Sequence, residues 1–145
     1  MVLWVILGLA AWEGFWWDVR RSRRTETYAK AQAHAQRMGR PLVVIGAPDA
    51  GVTTGYGCGD ITVDIAGSAC PRTLQVDVTK TMPFATNSVC CVVMCTLEYV
   101  KSVEPALREI ARISGGHAFF VGVEPWTLTA YLYPGARRTL PSKFR

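Results

Sequence analysis

At 145 residues the chain has room for one domain and little else. Half of its residues are apolar, and the net charge of +5 is unevenly placed: residues 1–40 carry seven Lys/Arg against three Asp/Glu, and residues 41–145 carry nine against eight. The basic character therefore belongs to an N-terminal arm. A domain with no basic face of its own argues against nucleic acid as a partner.

Residues 1–17, MVLWVILGLAAWEGFWW, are apolar except for Glu13. As a helix they would be about 25 Å long, slightly short of a bilayer core. Trp12, Trp16 and Trp17 gather at the far end, and Arg20, Arg21, Arg23 and Arg24 follow at once. An aromatic belt followed by cations is what a membrane–water boundary selects, because amphipathic rings sit at headgroup level and charges stay outside it. A secretory signal would carry its charge before the apolar run. Residues 1–19 are therefore expected to be a membrane-anchor helix, single-pass or interfacial, with residues 1–24 contacting lipid. The positive-inside bias puts the domain on the cytoplasmic side. A basic juxtamembrane segment and a helix over residues 25–38 fill residues 20–40. Thr25 is expected to cap that helix, and Gly39 with Pro41 to stop it. His34 reads as a helix surface residue rather than a ligand.

The domain itself is expected over residues 41–124. Leu42 to Ile45 is a short apolar run bounded by Pro41 and Gly46, which suits a strand buried on both faces. Residues 46–60 are rich in glycine and leave no room for an ordinary helix. Residues 61–65 and 73–76 read as short strands and residues 88–94 as the central one. Pro105 sits in the first turn of a helix to Ile113 that Gly115 and Gly116 terminate. Residues 117–123 form a fifth strand, with His117 as polar punctuation at its mouth. Residues 125–145 are a tail with one short helix possible at residues 127–133. The expected fold is α/β: a truncated doubly wound (Rossmann-like), mostly parallel sheet of about five strands in the order 3-2-1-4-5, after an N-terminal membrane helix.

The five cysteines, Cys58, Cys70, Cys90, Cys91 and Cys95, show no C-x-x-C spacing, and three lie in an apolar run. They read as free thiols in a reducing compartment. With His34 and His117 the only histidines, no metal site is expected.

Six elements then recur in a familiar order: Asp77 after a strand, Pro83-Phe84, Asn87-Ser88, Leu97-Glu98-Tyr99, Leu107-Arg108-Glu109 with Arg112, and Gly115-Gly116. In this the chain resembles the class I S-adenosylmethionine-dependent methyltransferases of the methyltransferase type 11-like group, over about residues 41–123. The resemblance implies a cofactor site in which Gly46 and Gly51 let the backbone approach the methionine carboxylate, Asp64 accepts from the ribose hydroxyls, and Asp77 with Val78 meets the adenine.

The chain also departs from the family pattern. Val44 and Ile45 stand where an acid precedes the first glycine, Pro48 replaces a glycine, Cys90-Cys91 replaces Phe-Asp, and Tyr99 replaces a histidine. The family's sixth and seventh strands are not expected in residues 125–145. No general base is evident: Glu98 and Tyr99 read as a helix-start carboxylate and a packed tyrosine, and Cys95 as a core thiol without a basic neighbour. The expected function is therefore a membrane-anchored, methyltransferase-like pseudoenzyme. It would be a structural or interaction subunit of a larger membrane-associated assembly, with protein partners covering the open sheet edge. No catalytic residue and no resident cofactor are assigned. The alternative is an active enzyme using S-adenosylmethionine on a lipid or quinone-like acceptor.

Overall fold

The computed structural model describes residues 2–46 and 57–122. Five strands, β1 (Leu42–Ile45), β2 (Ile61–Val63), β3 (Thr73–Leu74), β4 (Cys90–Met94) and β5 (Ala118–Val121), form one sheet. All four pairings are parallel and the spatial order is β3-β2-β1-β4-β5. The expected order 3-2-1-4-5 is the observed one. Four strands are shorter than expected: β2 ends at Val63, β3 ends at Leu74, β4 begins at Cys90, and β5 runs only from Ala118 to Val121.

Burial explains the apolar runs. Every residue of β1 and of β4 is buried. Alternate side chains serve opposite faces, as the pleat requires. Val43, Ile45, Cys91 and Val93 join one cluster with Ala106, Leu107, Ile110 and Ile113 of α2 (Val103–Ser114). Leu42, Val44, Cys90 and Val92 join the other with Ala31 and Ala35 of α1 (Val2–Met38). The two helices thus cover opposite faces of the sheet.

The motif around α2 is structural. Glu109 accepts from the Met82 backbone N–H at 2.7 Å, and Arg112 donates to the carbonyls of Phe84 at 2.9 Å and Met82 at 3.2 Å. Arg112 also donates to Glu109. The Pro83-Phe84 turn is thereby fastened to the helix. Hydrogen bonding from Arg112 holds the Glu109 carboxyl below its ordinary range; burial opposes it, and the Met82 N–H adds a smaller lowering.

α1 differs from expectation in being one unbroken helix of 37 residues. Nothing between residues 18 and 25 breaks it, and Thr25 does not cap a second helix. Its hydroxyl instead donates back to the Arg21 carbonyl four residues earlier, at 3.0 Å. The apolar stretch of the helix has no buried share, and Trp4, Ile6, Leu9 and Phe15 are all exposed. Among the described residues, one helix is therefore long and apolar enough to cross a membrane.

His34 is not a bare surface residue. Its Nε2 lies 3.0 Å from His117 Nδ1, and Arg37 Nη2 lies 3.4 Å from His34 Nδ1. Because a guanidinium only donates, Nδ1 of His34 must accept, so Nε2 carries the proton and donates to His117. Burial, then the charges at His117, Arg37 and Arg40, lower the pKa of His34. The pair ties α1 to the start of β5.

The cysteine reading is corrected as well. Cys58 and Cys70 form a disulfide, and Cys90, Cys91 and Cys95 are the free, buried thiols. Cys58 precedes β2 and Cys70 precedes β3, so parallel pairing of those neighbouring strands brings the two together. A separation of 12 residues gives no sequence motif for that. The expected helix-free stretch falls largely on residues 47–56, and the tail helix on residues 127–133; both lie outside the described residues.

Candidate functional site

In a parallel sheet, ligands bind beyond the carboxyl ends of the strands, where the connections diverge. A cavity of about 570 Å³ lies there. That is within the roughly 300–1,000 Å³ of small-ligand sites. Ile45 of β1 and Val63 of β2 form its apolar floor. The loop after β3, from Val76 to Lys80, makes one wall; Tyr99 to Ser102 and Pro105 of α2 make the other.

Three of the five expected cofactor residues, Asp64, Asp77 and Val78, line this one cavity. Asp64 immediately follows β2, and its Oδ1 accepts from the Ala66 N–H at 2.8 Å, folding the chain into a turn. Asp77 Oδ1 accepts from the Thr79 hydroxyl at 2.7 Å and the Thr79 N–H at 2.9 Å. Those two bonds, the side-chain one first, hold the Asp77 carboxyl below its ordinary range. Val78 is buried and adds apolar lining. Gly51 lies outside the described residues.

Gly46 adjoins the cavity through its neighbour Ile45 and through Thr96. The structure supplies a reason for glycine there that involves no ligand. Its φ is +98°, and an added Cβ would collide with Thr96 Oγ1 and stand 2.7 Å from the Met94 carbonyl oxygen. Thr96 in turn donates from its hydroxyl to the Ile45 and Met94 carbonyls, each at 3.1 Å. These bonds stitch the ends of β1 and β4 together, and only glycine leaves room for them. Gly59 has a similar task at the other end of the sheet. Its φ is +61°, a Cβ added there would stand 2.7 Å from the Leu42 carbonyl oxygen, and its N–H donates to Tyr28 Oη at 3.2 Å. Gly59 thus serves the packing of β1 and of α1.

Glu98, Tyr99 and Cys95 sort differently from their expected roles. Tyr99 is not packed: it is 58% exposed at the cavity rim. Glu98 is buried at 6% exposure, lies within electrostatic reach of Cys95, and is not among the cavity-lining residues. Cys95 has the basic neighbours that its sequence context lacks, since α1 brings Arg24 and Arg20 beside it. Burial nevertheless dominates and raises its pKa, with Arg24 opposing. Burial likewise pushes the Cys91 thiol up to about 12. None of these thiols is an activated nucleophile.

Sequence reasoning found the acidic residues of the cavity but missed its polar complement, Thr79, Lys80, Thr96, Lys101 and Ser102. The only signal for them was position, in the segments that follow β3 and β4. A larger, shallow depression of about 710 Å³ lies where Lys30, Ala33 and Arg37 of α1 meet Phe119 of β5. No expected site residue lies in it. Among the described residues no group of three or more His, Cys, Asp or Glu is placed to hold a metal ion. No family model, no curated protein and no solved structure matches the chain.

Proposed function

We propose that the chain is a membrane-anchored, methyltransferase-like domain with a Rossmann-like, doubly wound plan, which binds a nucleoside-bearing ligand without transferring a methyl group and serves a membrane-associated assembly as a binding or structural subunit. The observation that carries this reading is the convergence of Asp64, Asp77 and Val78 on one cavity at the carboxyl ends of the strands. A carboxylate ending the second strand is placed to accept from ribose hydroxyls, and S-adenosylmethionine is the ligand the resemblance names. Support for lost catalysis comes from two of the groups weighed as candidates: Glu98 and Cys95 are buried and do not line the cavity. The two-residue strand β3 and the strand β5 form the edges of the described sheet, where protein partners would pair.

The test is calorimetric titration of the full chain in detergent with S-adenosylmethionine and S-adenosylhomocysteine, beside a methyl-transfer assay on extracted lipids and quinones. Binding that Asp64→Ala abolishes, without transfer, is the expected outcome. Transfer would establish the active alternative. No heat at millimolar ligand would remove the ligand and leave a purely structural subunit.

The four arginines after the apolar run favour the domain on the cytoplasmic side. The Cys58–Cys70 disulfide favours a second reading, with the domain in a compartment that is not kept reduced. Protease protection of the domain in sealed membranes distinguishes the two.

A further inference from the structure

The direction of α1 decides which end of the domain meets the membrane. His34 pairs with His117, which immediately precedes β5, whereas Arg24 and Arg20 act on Cys95, which immediately follows β4. The helix therefore runs antiparallel to the strands, and its N-terminal half leaves the domain past their carboxyl ends. That is the end at which the 570 Å³ cavity lies. The helix is continuous through this region, so it sets a distance as well as a direction. At about 1.5 Å per residue, Arg24 and the aromatic pair Trp16 and Trp17 are separated by roughly 10–12 Å along the axis. With those rings at headgroup level, the ends of the strands stand only about a headgroup layer or two from the acyl chains.

A second observation, independent of α1, marks the same end. Outside α1, the exposed large apolar side chains among the described residues are Ile65, 71% exposed, and Tyr99, 58% exposed. Both line the cavity, Ile65 from the segment after β2 and Tyr99 from the segment after β4. Lys80 and Lys101, both exposed, line it as well. Exposed apolar residues scattered over a surface need no explanation. Two that share one rim, flanked by lysines, on the end from which a membrane-length helix departs, form a surface with a chemical preference. Aliphatic and phenolic groups partition into the headgroup–acyl boundary, and ammonium groups beside them favour anionic lipid.

We propose that the cavity rim is a second membrane contact: Ile65 and Tyr99 enter the boundary region of an anionic bilayer, Lys80 and Lys101 meet its headgroups, and the cavity opens at the lipid surface rather than to bulk water. This rests on α1 as the anchor. It goes further in fixing the orientation of the domain and the surface its site faces. Any ligand of the cavity then arrives along the bilayer, and the rim residues are part of its path.

The test uses the full chain in vesicles of phosphatidylcholine with a minor share of phosphatidylglycerol. An environment-sensitive nitrobenzoxadiazole probe is attached at Ile65→Cys, Tyr99→Cys or Met38→Cys, the last at the opposite end of α1; wild type carried through the same labelling controls for the buried native thiols. Flotation with the vesicles first establishes that α1 anchors the chain, and a chain that does not float refutes the anchor itself. In floating samples the probes at 65 and 99 shift to the blue and lose fluorescence to brominated acyl chains, and the probe at 38 does neither. Lys80→Glu with Lys101→Glu, or vesicles without phosphatidylglycerol, reduce that quenching while flotation persists. Probes at 65 and 99 in water on a floating chain overturn the proposal and leave the anchor standing. A blue shift without bromolipid quenching also overturns it, because the rim is then covered by protein.

Discussion

Gly46→Ala separates two explanations of one glycine. The resemblance assigns Gly46 to a cofactor carboxylate, whereas the structure assigns it to the close approach of the segments that follow the paired strands β1 and β4. If packing is the reason, the substitution destabilises the chain with no ligand present. Placing alanine at φ +98° costs about 1–2 kcal/mol. A Cβ 2.7 Å from the Met94 carbonyl oxygen forces the backbone apart, for which overpacking of about 1–3 kcal/mol is the relevant scale. Together these give about 2–5 kcal/mol. For a domain of this size, about 3 kcal/mol lowers the melting temperature by roughly 12–24 °C. Thr96→Ala alone removes two hydroxyl hydrogen bonds and costs about 1–3 kcal/mol. In Gly46→Ala/Thr96→Ala the clash with the threonine hydroxyl disappears while the one with the backbone carbonyl remains, so the double variant is more stable than the sum of the singles predicts. The assay is thermal and urea unfolding of the full chain in detergent, followed by near-ultraviolet circular dichroism. A Gly46→Ala chain of wild-type stability that has lost only ligand binding refutes the packing argument.

Three further outcomes follow from the same contacts. Cys58→Ser/Cys70→Ser opens a loop spanning 12 residues and lowers stability by about 2–3 kcal/mol on chain-entropy grounds, measured by urea unfolding with and without reductant. The folded-state pKa of His34 lies below its ordinary 6.5, so the unfolded chain binds the proton more readily. Stability therefore falls as pH drops through 6.5 towards the folded value, and His34→Gln flattens that part of the pH profile. Glu109 is the opposite kind of group, an acid with a depressed pKa. Its contribution is complete above its ordinary 4.5 and disappears as pH falls through the folded value; Glu109→Gln removes this acid limb in a pH series of unfolding curves.

Much of the architecture could be read from local pattern. Leu42–Ile45 is apolar at every position because both of its faces are covered, so four residues between Pro41 and Gly46 suffice to place β1. The helix from Val103 to Ser114 has its apolar residues on one face and ends at Gly115 in the left-handed conformation, which its Gly-Gly signal announces. Of the site, Asp64, Asp77 and Val78 were expected from the family resemblance alone, and the structure sets all three along one cavity at the carboxyl ends of the strands. Less legible were the roles of Glu109 and Arg112. Their spacing resembles a family motif, but their partners are backbone groups of residues 82 and 84, far away in sequence.

By itself, the sequence determined the short buried strands, the two covered faces of the sheet and the apolar N-terminal helix, which follow from periodicity and from residue types that act locally. The strand order and the acidic residues of the cavity were expected from the family resemblance. Only the tertiary structure decided that α1 is a single helix running against the strands, that Cys58 meets Cys70, that His34 meets His117, and that Gly46 makes room for Thr96. Each of these depends on two segments distant along the chain arriving at one place, and no local preference of either segment encodes the other's position.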